Sequence, residues 1–146
     1  MTAPLLPAQL SIVVPTFNES QNVGLLVDLV DKALPGIAWE LVFVDDNSPD
    51  GTSDTARALA LTNPRVRVLQ RVGRRGLSSA CVEGILATSA PYVAIMDADL
   101  QHDETILKAM FERISEGDVD LVVGSRYVEG GGMGEWSESR IKMSQF

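Results

Sequence analysis

The sequence predicts an α/β domain of three layers, in which helices cover both sides of a mostly parallel sheet. Short runs rich in β-branched residues alternate with stretches whose apolar residues recur at helical spacing. Each apolar run is short and nearly continuous, which is typical of strands buried on both faces. A chain of 146 residues suits one domain that is large enough to bury a core.

Five strands and four helices are predicted, in alternating order. The strands are placed at residues 11–14, 41–44, 66–69, 92–96 and 119–123. The helices follow apolar stripes within residues 25–33, 56–60, 77–88 and 106–114. The pairs Pro35-Gly36 and Asn63-Pro64 end the first two helices, and Asp103 is the expected N-cap of the fourth.

The composition changes at Glu129. Residues 130–134 hold four glycines, which is typical of a flexible loop, and residues 137–146 begin an amphipathic pattern without a capping Gly or Pro. We therefore divide the chain into a core at residues 1–128 and a loop with the start of a helix at residues 129–146. We also expect the chain to be a fragment of a longer protein.

Composition and missing motifs argue against several classes of protein. The net charge of −8 gives no basic surface for nucleic acid. Cys81, the only cysteine, lies in an apolar helical pattern and is interpreted as a packing residue rather than a reactive thiol. The sequence also lacks the glycine fingerprint of dinucleotide-binding dehydrogenases, the P-loop of NTPases and the nucleophile elbow of hydrolases.

Polar residues gather directly after each predicted strand, where parallel sheets bind their ligands. After the fourth strand, Asp97 and Asp99 stand two residues apart and would repel each other unless a cation neutralised them. Mg²⁺ or Mn²⁺ suits two carboxylates, and Gln101 can add a neutral oxygen. The alternative is an ordinary acidic turn in which Asp103 caps the next helix, with His102 exposed beside it.

Two consecutive aspartates end the second strand. The Pro-Asp-Gly turn at residues 49–51 is explained by local turn chemistry alone. That chemistry does not explain Asp45 and Asp46. We expect Asp46 to reach out toward the ribose or base of a nucleotide and Asp45 to turn inward and hold the loop.

Arginines supply the candidate phosphate ligands, because a guanidinium donates hydrogen bonds in pairs. The candidates are Arg71, Arg74, Arg75 and Arg126. Arg126 is favoured because it leaves a predicted strand at the ligand edge, while Arg74 and Arg75 lie between glycines in a candidate phosphate loop. Taken singly, each of these arginines is more often a solvated surface residue than a phosphate ligand.

Five motifs, in order, resemble the family 2 inverting glycosyltransferases of the GT-A fold, and within them the dolichol-phosphate mannosyltransferases and bacterial polyprenyl-phosphate glycosyltransferases. The motifs are Val-Pro-Thr-Phe-Asn-Glu at residues 14–19, Val-Asp-Asp-Asn-Ser-Pro-Asp-Gly-Thr at 44–52, Gly-Leu-Ser-Ser-Ala at 76–80, Met-Asp-Ala-Asp-Leu-Gln-His at 96–102 and Gly-Ser-Arg-Tyr at 124–127. The resemblance covers roughly residues 10 to 140.

The resemblance implies a role for each of these sites. Around the nucleotide it places Pro15, Thr16, Phe17, Glu19 and Asp46, with Asp97 meeting the donor through the metal. It assigns Mg²⁺ or Mn²⁺ to Asp97, Asp99 and Gln101. It also assigns catalytic roles to Asp99 and Arg126, of which Arg126 would steady the departing nucleoside diphosphate.

The same resemblance implies a hexose transfer with inversion. The donor would be GDP-mannose or UDP-glucose, and the acceptor dolichyl or undecaprenyl phosphate at the cytoplasmic face of the membrane. Such an acceptor is already anionic, with a second pKa of about 6, so we expect no essential general base. Membrane contact would be peripheral and made by regions beyond this chain, and the sequence leaves the oligomeric state open.

Two other functions remain open. A sugar-nucleotide pyrophosphorylase usually carries a Gly-rich, Lys-containing loop after the first strand, whereas residues 15–20 here read Pro-Thr-Phe-Asn-Glu-Ser. A module that binds the donor without transferring its sugar is the other possibility for these 146 residues.

Overall fold

The computed structural model describes residues 7–125, 127 and 129. The elements are β1 (Leu10–Thr16), α1 (Val23–Ala33), β2 (Trp39–Asp45), α2 (Thr52–Thr62), β3 (Val66–Gln70), α3 (Leu77–Leu86), β4 (Tyr92–Ile95) and α4 (Leu107–Ser115), with a 3₁₀ turn at Glu104–Ile106 before α4. The strands form one sheet in the order β3-β2-β1-β4, and its three pairings are parallel. The predicted α/β class with a parallel sheet is confirmed.

Helices pack on both faces of the sheet. Successive side chains of a strand point to opposite faces. Ile12 and Phe43 therefore belong to the large apolar cluster shared with α1 and α2. Val13 and Val44 belong to a second cluster, which contains Ala80 of α3. This arrangement gives the three layers expected from the sequence.

Gly84 allows α3 to lie very close to the sheet. A Cβ atom at this position would stand 2.3 Å from Val13 Cγ1 and 3.0 Å from Val44 Cγ2, both closer than ordinary contact. Only a glycine fits such an approach. The close packing holds α3, and with it the loop before α3, against β1 and β2.

The strand order creates a ligand crevice next to β1. The chain moves outward from β1 through β2 to β3 and then returns to the other side of β1 to form β4. The register aligns Leu10 with Tyr92 and Val13 with Ile95. In open parallel sheets, ligands bind beyond the carboxyl ends of strands at such a reversal of order. The loops after β1 and β4 flank that position.

The fifth predicted strand is wrong for the described part of the chain, since residues 119–123 form no strand there. Residues 121–125 instead lie across a cleft of about 790 Å³ from β4. Gly124 approaches the side chains of Ile106 and Met110 near the start of α4. The apolar pattern predicts a buried strand, but Leu121 and Val123 are exposed. A strand also needs a hydrogen-bonded neighbour, and β4 is the last strand of the described sheet.

The four predicted helices are confirmed, with shifted ends. α2 starts at Thr52, earlier than its apolar stripe indicated, because the Asp50 carboxylate accepts a hydrogen bond from the Thr52 N–H at 3.0 Å. Asp103 caps the turn before α4 by accepting from the Thr105 N–H at 3.0 Å. The loop and helix predicted for the tail lie outside the described residues, apart from Glu129. No helix in the described ranges has both the length and the apolar character to cross a bilayer.

Candidate active site

Hydrogen bonds join the loops after β1 and β2 into one unit. Backbone N–H groups of the first loop donate to side chains of the second: Asn18 to Ser48 Oγ at 2.9 Å, Glu19 to Thr52 Oγ1 at 3.0 Å and Ser20 to Asp50 Oδ2 at 3.1 Å. Asn18 and Asn47 adopt left-handed backbone angles, φ 59° and 57°, which asparagine tolerates better than most residues. Both predicted nucleotide loops therefore have a defined shape.

Asp45 is fully buried and holds these loops together. Its carboxylate accepts hydrogen bonds from the hydroxyls of Thr16 at 2.9 Å, Ser48 at 2.6 Å and Ser53 at 2.7 Å, and from the Ser48 N–H at 2.9 Å. The inward role expected for Asp45 is confirmed. Because the Thr16 hydroxyl is also committed to Asp45, Thr16 shapes the loop from within.

Asp46 faces the loop after β3. Its side chain is 13% exposed, and Oδ2 accepts a hydrogen bond from the Gly76 N–H at 2.8 Å. Oδ1 lies 3.2 Å from Nε of Arg71. The carboxylate thus bridges the end of β2 to the residue that precedes α3. A ribose contact by Asp46 stays a prediction, and it would use the exposed rim of this carboxylate.

The structure corrects the role of Arg71. The sequence grouped it with the phosphate ligands, but its side chain is 0% exposed. Its guanidinium donates to the Gly76 carbonyl at 3.1 Å and to Ser79 Oγ at 2.8 Å. A phosphate at the loop surface cannot reach a group that is enclosed in this way.

The other arginines of the loop also have protein partners. Arg74 binds both carboxylate oxygens of Glu83 at 2.7 Å. These bonds raise the pKa of Arg74 and lower the pKa of Glu83. The guanidinium of Arg75 lies over the exposed ring of Phe17. Arg126, the favoured phosphate ligand, lies outside the described residues.

The acidic loop after β4 carries the two candidate metal ligands on its surface. The Asp97 N–H donates to His102 Nδ1 at 3.2 Å, and Nε2 of the same ring stands 3.8 Å from Asp97 Oδ2. Asp99 Oδ1 accepts from the Gln101 N–H at 3.0 Å. Leu100 between them has φ 59°, a conformation that costs a leucine roughly 1–2 kcal/mol. His102 lies beside the site as expected, but it is half-buried rather than fully exposed.

The donor set of this loop fits a hard divalent ion that a ligand completes. Among the described residues, no three His, Cys, Asp or Glu side chains group closely enough to hold an ion by themselves. Asp97 and Asp99 are exposed and offer carboxylate oxygens, and Gln101 can add an amide oxygen. Mg²⁺ and Mn²⁺ favour such oxygen ligands and keep other positions for water or phosphate.

Cys81 of α3 is close enough to Asp97 for the negative charge of Asp97 to affect its thiol. Burial raises the pKa of its thiol, and the negative charge of Asp97 raises it further. The side chain is half-buried, which agrees with a packing role.

Comparison with known proteins identifies the family. Residues 11–145 match the model described as Glycosyl transferase family 2. The chain belongs to glycosyl transferase family 2. It is 41% identical over 137 residues to a dolichol-phosphate mannosyltransferase of Pyrococcus furiosus and 37% identical over 138 residues to a polyprenol monophosphomannose synthase of Mycolicibacterium smegmatis. These matches cover 94% and 92% of this chain, which spans 38% and 51% of those relatives.

Solved structures agree with the predicted fold. The mannosyltransferase PcManGT of Pyrobaculum calidifontis, in complex with GDP-Man and Mn²⁺, superposes with a TM-score of 0.59 at 26% identity. That match covers 73% of this chain and 34% of the other. Glucosyl-3-phosphoglycerate synthase of Mycobacterium tuberculosis reaches a TM-score of 0.61 at 23% identity, covering 76% and 41% of the two chains. The predicted family and GT-A fold class are confirmed.

In this family 2 chain, the structure brings most of the predicted site residues to one edge of the sheet. Loops with Pro15, Phe17 and Glu19 adjoin the loop with Asp46, and Asp97 lies near α3. Sequence reasoning missed the buried link from Asp46 through Arg71 to α3. One available signal was position, because Arg71 directly follows a mostly apolar strand that pairs with β2.

Proposed function

We propose that this family 2 chain is the donor-binding part of a mannosyltransferase that moves mannose from GDP-mannose to a polyprenyl phosphate. The observation that carries the proposal is the pair of exposed carboxylates, Asp97 and Asp99, after β4 at the reversal of strand order. The names of the two relatives, and the GDP-Man and Mn²⁺ in the complex from Pyrobaculum calidifontis, support it. UDP-glucose is the alternative donor.

The nucleoside would bind between the loops after β1 and β2. Phe17 offers an exposed aromatic face, and Pro15, Glu19 and Asp46 offer apolar and acceptor groups along the same crevice. Thr16 acts from beneath through its bond to Asp45. The hydrogen bonds between the two loops limit the reorganisation that binding would require.

The diphosphate would bind over the acidic loop. Asp97, Asp99 and Gln101 would hold Mg²⁺ or Mn²⁺ there, with Asp99 on the reacting side. The bound ion supplies positive charge that stabilises the departing nucleoside diphosphate. Arg126 would add a second positive charge to the same leaving group.

The chain's own residues are not needed as a general base in this reaction. The oxygen of a polyprenyl phosphate is already anionic near neutral pH, since its second pKa is about 6. Its attack on the face opposite the leaving group gives inversion at the sugar carbon. A polyprenyl acceptor also places the reaction at a membrane surface, for which we propose peripheral contact at the cytoplasmic face.

Calorimetry on the 146-residue chain tests the proposal. GDP-mannose and UDP-glucose are titrated with Mn²⁺ and, separately, with EDTA. We expect donor binding that requires the metal and that weakens at least about tenfold when Asp97 and Asp99 are both changed to Asn. Asp103→Asn is the matched control, because it removes a neighbouring charge while an asparagine still caps the turn. Equal binding in EDTA, or an unaffected double variant, contradicts the proposal.

A second assay separates the two enzymatic functions from a binding module. Glycolipid formed from GDP-mannose and dolichyl phosphate supports transfer, whereas donor binding without glycolipid supports a binding module. Pyrophosphate released from a sugar phosphate and an NTP would indicate a pyrophosphorylase instead.

A further inference from the structure

We propose that Arg71 is a positioning residue, which sets the orientation of Asp46 and of the start of α3 for the nucleoside end of the donor. The inference rests on the proposed function, since it assumes that Asp46 contacts the donor. Arg71 itself is enclosed and touches no donor.

The backbone places Arg71 at the junction of two strands. Its N–H donates to the Asp45 carbonyl at 2.8 Å, so the β2–β3 ladder continues by one residue past the end of β3. The side chain is fully buried. A guanidinium at this position reaches three elements at once: the end of β2, the loop before α3 and α3 itself.

Each part of the guanidinium has a separate partner. Nη1 donates to the Gly76 carbonyl at 3.1 Å and Nη2 to Ser79 Oγ at 2.8 Å. Nε lies 3.2 Å from Asp46 Oδ1 and 3.5 Å from Glu83 Oε1. Nε and Asp46 Oδ1 are buried without a hydrogen-bond partner among the described residues, so their contact is an ion pair.

Arg71 and Asp46 bind the two peptide groups on either side of the Gly76 Cα. Arg71 binds the Gly76 carbonyl, and Asp46 Oδ2 accepts from the Gly76 N–H at 2.8 Å. Gly76 has φ 127°, where residues with a side chain are strained. The carboxylate of Asp46 is therefore held at both oxygens, and the small part of it that remains exposed has a fixed orientation.

The charges make this arrangement interdependent. A buried guanidinium is tolerated only when anions compensate it, and here Asp46 and Glu83 do so. Removing Arg71 leaves Asp46 with its Gly76 bond but without its counter-charge. We therefore expect the carboxylate and the loop before α3 to lose their fixed geometry together.

A double-mutant cycle tests the inference. Arg71→Lys keeps the positive charge but replaces the planar guanidinium by a single ammonium group, which cannot reach all the partners. We expect Arg71→Lys and Asp46→Asn each to weaken GDP-mannose binding about tenfold in the presence of Mn²⁺. The double variant should bind no more weakly than the weaker single variant, because both changes act on one contact. Thermal unfolding of each variant reports on folding.

Two further variants make the outcome specific. Arg71→Met removes the charge as well, and we expect a larger loss of affinity than with lysine, which partly rescues binding. Arg67→Lys, an exposed arginine of β3 paired with Glu40, should leave binding unchanged. If Arg71→Met does not fold, the cycle with lysine decides.

The results distinguish the two hypotheses. If the unchanged chain binds no nucleotide sugar with Mn²⁺, the proposed function fails. If the unchanged chain binds the donor, two results would overturn the positioning role alone. One is that Arg71→Lys binds the donor as tightly as the unchanged chain. The other is that the affinity losses of Arg71→Lys and Asp46→Asn multiply in the double variant. If Arg71→Lys lowers the melting temperature and the affinity losses multiply, Arg71 has only a structural role.

Discussion

The guanidinium carbon of Arg75 lies 5.1 Å from the centre of the Phe17 ring. The contact joins the loop after β1 to the loop after β3 above the crevice. A cation–π contact at an exposed site contributes about 0.5–1 kcal/mol. The pair thus fixes an aromatic face at the point where the nucleoside is proposed to bind.

Breaking this contact should weaken donor binding at little cost to the stability of the fold. We expect Arg75→Gln to lower GDP-mannose affinity by about threefold and the free energy of unfolding by less than about 1 kcal/mol. Calorimetry and urea unfolding measure the two effects. Arg65→Gln is a matched control, because Arg65 stacks on Trp39 at 5.0 Å beside the opposite ends of the strands. Arg65→Gln also breaks an ion pair with Asp31 at 3.0 Å, so it should lower stability at least as much as Arg75→Gln while leaving donor affinity unchanged. An affinity loss with Arg65→Gln and none with Arg75→Gln would refute the role of Phe17.

A methyl group at position 84 should force α3 away from the sheet. Gly84→Ala would place Cβ 2.3 Å from Val13 Cγ1, so we expect the free energy of unfolding to fall by about 1–3 kcal/mol. Donor affinity should fall as well, since the loop before α3 moves with the helix. Gly24→Ala, in α1 with nothing within 4 Å of the added methyl group, should instead stabilise by about 0.5–1 kcal/mol. Equal stability of the two variants would argue against the close approach.

Asp50 should make stability depend on acid pH. The hydrogen bond from the Thr52 side chain, assisted by hydrogen bonds from Ser20 and the Thr52 N–H, lowers its pKa from 3.8 to about 2, although desolvation opposes the shift. Because the folded pKa is the lower one, the charge stabilises the fold above the unfolded value and this contribution disappears as the pH falls through about 2.

Urea unfolding of Asp50→Asn tests this between about pH 5 and about pH 2. The difference in unfolding free energy between the unchanged chain and the variant should be constant at the upper end and shrink toward the lower end. Asp28→Asn, at an exposed position of α1, is the comparison. A difference that stays constant down to the lower limit would contradict the role of the Asp50 charge.

The thiol of Cys81 should react slowly and should respond to Asp97. Its raised pKa lowers the fraction of thiolate, so alkylation by iodoacetamide at about pH 8 should be slower than that of an ordinary cysteine. Asp97→Asn removes the second cause of the shift and should speed the reaction in EDTA. Since Cys81 is the only cysteine, mass spectrometry follows it directly. Unchanged kinetics in Asp97→Asn, with Asp103→Asn as the control, would place the thiol outside the field of the acidic loop.

The parts of the fold that could be predicted are those that the residue pattern of a single segment determines. β1 and β2 are apolar on both faces because helices cover both, and continuous apolar runs report that directly. Residues 119–123 have the same composition but lack a paired neighbour in the described sheet. Pairing is a property of two segments, so a single run cannot reveal it.

A residue of the candidate site could be placed from the sequence where its immediate neighbours decide its orientation. Successive side chains at the end of a strand point in opposite directions, which allowed the inward role of Asp45 to be predicted, while the donor contact of Asp46 stays a prediction. Arg71 could not be assigned in this way. Its burial depends on Asp46 and Glu83, which lie on other elements, and arginine alone predicts an exposed surface.

The order of the strands also has a consequence for how this protein becomes functional. β4 is the last strand of the described sheet to leave the ribosome, yet it pairs with the first one. The loop after β1 and the acidic loop after β4 can meet only after β4 has paired with β1. Such pairing between segments far apart in sequence is among the slow events of folding. The proposed affinity for a sugar nucleotide would therefore arise only after β4 has paired with β1, and nascent chains that still lack β4 would not bind the donor.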